Sequence, residues 1–489
     1  MRTAFHNPRK ALRVRRPARR HSSQLGLECL EDRCLLSTGF AQTPLVSDIP
    51  GLAPNRDRNL TNPWGFSETS DGQFRVAANG SGRAILFDAE GEKSGADIII
   101  PPPAGSPSGS TSTPNGVVGN STSGFVITVN GRSAPATLLF STEDGTIAGW
   151  NPALSQTHAV IAADQSSNGA VYKLLALGTN AHGTFIFATN FHTGTIDIFD
   201  SSFHLVHFGP HAFVDPIAGP DAIPSNFAPF GVKNFNGTLF VTYAEQDAAK
   251  HDDVAGVGNG FIDEFNTSGN FIRRFATRGL LNSPIGAAIA PANFGKFSND
   301  VLIGNFGDSH VNAFDPATGQ FLGQLTDTHG NPLVLNGGFK ETDTKGLWGI
   351  GFGNGADDAG TNTLFFAAGI NEENDGLFGA VTVASGSQGG AASNDSRNDP
   401  IAMLTAMGVA AESQMVDELF TRAGAVPDSQ TPIGQRDDGS GLLLSSSPGV
   451  PGQATSTTSP MHTSMQRPAN SNQGLSDPEG IDLKLDLLG

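Results

Sequence analysis

Cysteine is nearly missing from this chain. Of 489 residues only Cys29 and Cys34 are cysteines, so beyond residue 34 there is no disulfide framework and no thiolate chemistry. A zinc site built on that pair fails for want of a second pair of ligands. Tyrosine (2) and tryptophan (3) are scarce as well, whereas 33 phenylalanines supply enough apolar ring for a sizeable core. No stretch approaches the roughly 20 apolar residues of a membrane-spanning helix. Gly (61) and Pro (30) make up about a fifth of the chain, below the roughly 25–30% that marks wholesale disorder. Positive charge is confined. Arg2, Arg9, Lys10, Arg13, Arg15, Arg16, Arg19 and Arg20 fill the first twenty positions without an acid, and the other 21 basic residues face 47 acids, a balance of −26. So acidic a body repels phosphate backbones, which argues against a nucleic-acid partner.

The basic run is followed by Leu27, Glu28, Cys29, Leu30, Glu31, Asp32, Arg33, Cys34, Leu35, Leu36 and Ser37. A secretory signal of the usual kind, with 7–15 apolar residues and a small-residue cleavage site, is not there. The order Leu27, Glu28, Leu30, Glu31, Arg33, Leu35, Leu36, Ser37 instead resembles the planctomycete extracellular targeting motif that follows an Arg-rich start. The resemblance implies export, with residues 1–40 as a leader and the product outside the cell, at its surface or in the periplasm.

Residues 43–383 repeat a pattern about every 55 residues. A short lead-in with Pro or Gly precedes a β-rich apolar run, a polar turn, and a strand ending in Phe-Asp or Phe-Asn. The lead-ins are Asn62-Pro63-Trp64-Gly65, Pro114-Asn115-Gly116, Tyr172-Lys173-Leu174-Leu175, Ala228-Pro229-Phe230-Gly231, Ser283-Pro284-Ile285-Gly286 and Leu347-Trp348-Gly349-Ile350. Period-2 alternation, as in Thr195-Ile196-Asp197-Ile198-Phe199, and Gly-containing turns read as antiparallel strands. Six such units stack radially into an all-β, six-bladed propeller, which leaves only short protected edges; a β-sandwich would not explain six repeats. The apolar segments Pro44–Val46 and Asn331–Leu335 are expected to be strands that close the ring. Residues 384–489 turn to Gly, Ser, Thr, Gln and Pro and read as a flexible tail with a short helix near 400–423, started by Asp399-Pro400.

The lead-in followed by Val301-Leu302-Ile303-Gly304-Asn305-Phe306 and Val311-Asn312-Ala313-Phe314-Asp315 resembles the NHL-type propeller repeat. Together with Glu143–Pro152 and Gly346–Gly349, these blocks resemble an uncharacterised bacterial exported propeller family over residues 60–382. That family implies the fold and no activity. Some members of that family carry a C-terminal sorting anchor, a pattern from which residues 384–489, with no apolar span and no trailing basic cluster, are expected to depart.

Superposing the repeats brings Asn79, Glu143 with Asp144, Asn190, Glu245, Asn305, and Asn371 with Glu372 to one strand-end position near the channel. Gluconolactonase-like and arylesterase-like propellers hold calcium with such residues, which implies a metal or ligand site here. Asn and Asp in this position also bond their own turn backbone. Asn371–Gly376 half-matches a calcium loop, but Thr382 stands where the bidentate Glu belongs. His204, His207 and His211 lack zinc spacing, and no Gly-x-Ser-x-Gly elbow occurs. Two functions follow. One is a monomeric exported binding or scaffold module for an extracellular protein or small ligand. The other is a calcium-dependent lactonase or esterase in which Glu143 or Glu372 handles water.

Overall fold

A computed structural model describes residues 39–339 and 345–384; the leader motif and the helix expected near 400–423 lie outside the described residues. Six antiparallel sheets form the blades of a propeller. Blade 1 runs from its innermost strand Pro63–Glu68 through Phe74–Ala78 and Arg83–Phe87 to Ile98–Ile99. Blade 2 begins at Pro114–Gly119, blade 3 at Tyr172–Asn180, blade 4 at Phe227–Phe235, blade 5 at Pro284–Ile289 and blade 6 at Leu347–Phe352. A hairpin, Val126–Val129 with Arg132–Pro135, is inserted in blade 2. Helix among the described residues is limited to short 3₁₀ turns.

The ring is closed by Phe40–Ser47, which pairs antiparallel with Asp375–Val383 as the next strand of blade 6. The expectation at Pro44–Val46 is thus met. The one at Asn331–Leu335 is not: this segment forms no strand. Leu333 and Leu335 are buried among Phe40, Leu325 and Leu377. Its apolar residues fill a core between blades without joining a ladder.

Every lead-in adopts the same local structure. In all six blades the register between the first two strands shifts at the lead-in, so that Trp64, Asn115, Lys173, Phe230, Ile285 and Trp348 fall out of the ladder at equivalent places. A bulge re-aims a side chain. Trp64, Phe230, Ile285 and Trp348 cluster with Phe191 and Phe306 into one buried group drawn from blades 1, 3, 4, 5 and 6. Trp64 stacks on Trp348 at 3.4 Å between ring centroids, and Trp348 lies 4.3 Å from Phe306. The axis is therefore plugged by aromatic side chains, each worth about 1.5–3 kcal/mol of burial.

The residue after the bulge is glycine in five blades, because a Cβ there would strike the next blade. At Gly65, Gly231, Gly286 and Gly349 it would lie within 3 Å of the carbonyl oxygens of Asn115, Ile285, Trp348 and Trp64, respectively. Blade 3, with Leu174, is the exception.

Candidate functional site

Two of the six axial positions are polar, Asn115 and Lys173. Asn115 is absorbed by the fold: its amide donates to the Tyr172 carbonyl, and its side-chain oxygen accepts from Gly116 N–H at 2.6 Å and Ser141 Oγ at 2.7 Å. Lys173 does something else. Its side chain is only 1% exposed, and its Nζ lies 2.5 Å from Glu143 Oε1 and 3.3 Å from Asp252 Oδ1. The ammonium also sits 5.0 Å from the Trp64 ring centroid and 5.7 Å from that of Phe191, within cation–π range. Burial works to push Lys173 down, but the carboxylates of Glu143 and Asp252 outweigh it and hold the ammonium above its ordinary value.

Around this ammonium the blades deliver acids from different directions. Glu143 follows the second strand of blade 2, Leu138–Thr142, and also accepts from Asn79 Nδ2 of blade 1 at 2.8 Å. Asp252 comes from the insertion at 246–260, between Thr238–Glu245 and Phe261–Asn266 of blade 4. A bridge between Gln246 and Asp253 ties the insertion's base, and the Gln246 amide donates to the Phe191 carbonyl. His251 Nδ1 lies 3.0 Å from Asp252 Oδ1. That hydrogen bond holds Asp252 down at about 2 and raises His251 above its ordinary value. From blade 6 comes Glu373, whose Oε2 accepts from Asn62 Nδ2 at 3.2 Å. Burial, reinforced by the Glu143 charge, pushes Glu373 up to about 7. Burial likewise raises Asp253 to about 6.

Of the strand-end residues read from the sequence, the structure brings Asn79 and Glu143 together in this cluster. The others bond within their own blades. Asp144 accepts from Thr113 N–H at 2.8 Å, and Asn190 donates to Asp197 at 2.9 Å. Glu245 accepts from Asn226 at 2.9 Å and from Asn259 at 2.6 Å. Asn305 donates to the Leu280 carbonyl at 2.8 Å, and Asn371 to Asp375 at 2.7 Å. Glu372 is exposed to solvent, and its neighbour Glu373 takes the place at the axis. Lys173, His251, Asp252, Asp253 and Glu373 are functional candidates that the repeat superposition passes over. For Lys173 the signal is present, since it is the one charged residue in a lead-in position that elsewhere holds Trp, Phe, Ile or Asn.

Glu143, His251 and Asp252 each bring one ligand atom to within 4.8 Å of the others, a grouping that is a candidate for metal. The residues do not fit calcium, which takes 6–8 oxygens at 2.3–2.6 Å. The Lys173 ammonium already sits on Glu143 and Asp252, and the asparagines expected to complete a shell are engaged in their own blades. What the arrangement offers chemically is a surplus of carboxylate over resident cation, open to water through Asp252, whose side chain is 68% exposed.

No protein-family model matches this sequence. Uncharacterized protein L690 of Acanthamoeba polyphaga mimivirus is 31% identical over 340 residues, 69% of this chain and 84% of that protein. Uncharacterized protein R648 of the same virus is 28% identical over 338 residues, 69% of this chain and 78% of that one. These relatives are viral, whereas the sequence pattern resembles a bacterial family. Among solved structures, a streptogramin B lyase aligns at 13% identity and TM-score 0.39, covering 71% of this chain and 98% of its own. A glucose dehydrogenase aligns at 11% and 0.39, covering 70% and 100%. No helix among the described residues is long and apolar enough to cross a membrane.

Proposed function

This chain belongs to the family of the uncharacterised mimivirus protein L690, and we propose that it is an exported binding module whose axial mouth receives an ammonium or guanidinium group of its partner. The observation that carries the reading is that Glu143 and Asp252, from two blades, pair with the single ammonium of Lys173, while Asp253 and Glu373 add negative charge within electrostatic reach of it. A second cation entering beside the exposed Asp252 carboxylate meets charge that Lys173 leaves unbalanced. Such a contact adds steering and specificity more than raw affinity, so binding weakens with salt.

Trilysine serves as the probe in isothermal titration. The expected result is salt-sensitive binding by the full chain and at least fivefold weaker binding by Asp252→Asn. Equal binding by that variant, or none by the native chain, overturns the reading. Export rests on the Leu27–Ser37 block. Fractionation of cells making the full chain and an Arg33→Glu/Leu35→Asp/Leu36→Asp variant tests it, and equal export of the two would remove the motif's role.

The hydrolase alternative is favoured by one observation, the His251–Asp252 pair beside Glu143, which has the form of an oriented base. Thermal melts with calcium and with EDTA separate the readings. A metal that binds the native state raises Tm by mass action, so a calcium-dependent rise, with ester or lactone cleavage lost in His251→Ala, would replace the binding module with a metal-assisted enzyme.

A further inference from the structure

Below the aromatic plug the channel widens into a cavity of about 220 Å³, lined by the innermost strands of all six blades. Its wall is mainly apolar, with Val117, Leu175, Val232, Ile285, Ala287 and Ile350 among the lining residues and glycines between them. Two polar side chains reach it. Asn234 is spent on the fold, donating to the Leu177 carbonyl at 2.7 Å and accepting from Gly237 N–H at 2.8 Å. The other is Lys233. Among the described residues no carboxylate lies within ion-pair distance of its amine, and no hydrogen bond engages it. The side chain is solvent-exposed, so water reaches this part of the channel. The protein that surrounds the amine still pushes it below its ordinary value, with no neighbouring charge contributing.

The contrast with Lys173 is instructive. Sixty residues apart and in neighbouring blades, one lysine is held by two carboxylates and the other by none. A cation beside an apolar wall, without a counter-ion, keeps its water or meets an anion. The apolar wall in turn favours a ligand with an apolar body. At about 220 Å³ the space is below the ~300 Å³ at which drug-sized pockets begin, so the ligand is small.

We propose that this lower channel is a second binding site, separate from the acidic mouth, for a small amphiphile with a carboxylate head: the head pairs with Lys233 and the tail lies against the six inner strands. No bond is made or broken. Specificity comes from one charge, and affinity from the apolar wall.

The probe is octanoate, titrated calorimetrically into the full chain, with octylamine as the charge-reversed control. Lys233→Met keeps length and apolar character while removing charge, and Lys233→Arg keeps the charge. Lys233 has no partner to orphan, so both variants should melt within a few degrees of the native chain, and that check accompanies the titration. The expected result is binding of octanoate but not octylamine, at least fivefold weaker binding by Lys233→Met, and less than fivefold change in Lys233→Arg. Failure of the native chain to bind octanoate at millimolar concentration overturns the proposal. So does a loss below fivefold in Lys233→Met, which would leave a merely apolar channel. Because the acidic mouth is read with trilysine and Asp252→Asn, either site can fail without the other.

Discussion

Replacing Lys173 by methionine keeps the volume of the axial side chain and removes its charge. Glu143, whose side chain is 10% exposed, would then face the Trp64 and Phe191 rings with only Asn79 to satisfy it. Breaking a buried pair by deleting one partner costs about 3–5 kcal/mol, because the remaining charge is left uncompensated. Lys173→Met is therefore expected to lower the unfolding free energy measured by urea titration by that order, and Lys173→Met/Glu143→Gln to recover part of the loss. A single variant as stable as the native chain would show the pair to be dispensable. Glu373 gives the pH dependence. Its carboxyl titrates at about 7 in the folded chain against an ordinary 4.5, so the folded state holds the proton more tightly. The stabilisation that follows is complete below about 4.5 and is lost as pH rises through 7. Glu373→Gln removes that decline. Melts from pH 4.5 to 8 should find the variant more stable than the native chain above pH 7, by up to about 3 kcal/mol, with a flatter profile. Asp253, raised to about 6 from 3.8, leaves a residual slope at lower pH in both proteins.

At the scale of one strand, the glycine that follows five of the six axial residues sets how closely neighbouring blades approach. A methyl group at Gly286 would meet the Trp348 carbonyl oxygen at 2.7 Å, a backbone atom that cannot swing aside, whereas at Gly119, also on an innermost strand, the nearest atom is Ser67 Oγ at 3.8 Å. Gly286→Ala is expected to cost about 1–3 kcal/mol by overpacking, and Gly119→Ala to stay within about 0.5 kcal/mol. Equal denaturation midpoints for the two variants would refute the close-approach argument. This element was legible in the sequence because the axial residue and the glycine after it recur as one string in five of the six repeats. The acidic mouth was legible only in part. Glu143 and Asn79 lie at strand ends, where superposition finds them. Lys173 stands in a lead-in position otherwise filled by apolar or amide side chains, and Asp252 arrives on an insertion that has no equivalent in the other blades. Glu373 was missed by one residue. Asn371, Glu372 and Glu373 all have positive φ, at 57°, 55° and 63°, a left-handed run that strand periodicity does not anticipate and that turns Glu373 rather than Glu372 to the axis.

For the whole ring, stability depends on the pairing between its two ends. Phe40 pairs with Val383 and Ser47 with Leu377, so the last blade is completed by the first strand of the fold. Such a long-range contact forms only after the intervening chain has collapsed, and its closure entropy must be met before it stabilises anything. Without it, Asp375–Val383 would become an open edge with unpaired backbone groups. Phe40 also packs at 4.9 Å from Phe294 of blade 5, and Val46 joins the core shared with blade 1. The closing strand thus holds three blades, not one. A chain beginning at Gly39 is expected to melt cooperatively near the temperature of the full chain, and one beginning at Asp48 to lose the single transition and bind a hydrophobic dye. Calorimetry distinguishes the outcomes. If the chain from Asp48 keeps a cooperative transition within a few degrees, the other five blades hold the ring shut without it, and the packing of Phe40 and Val46 contributes less than their burial implies.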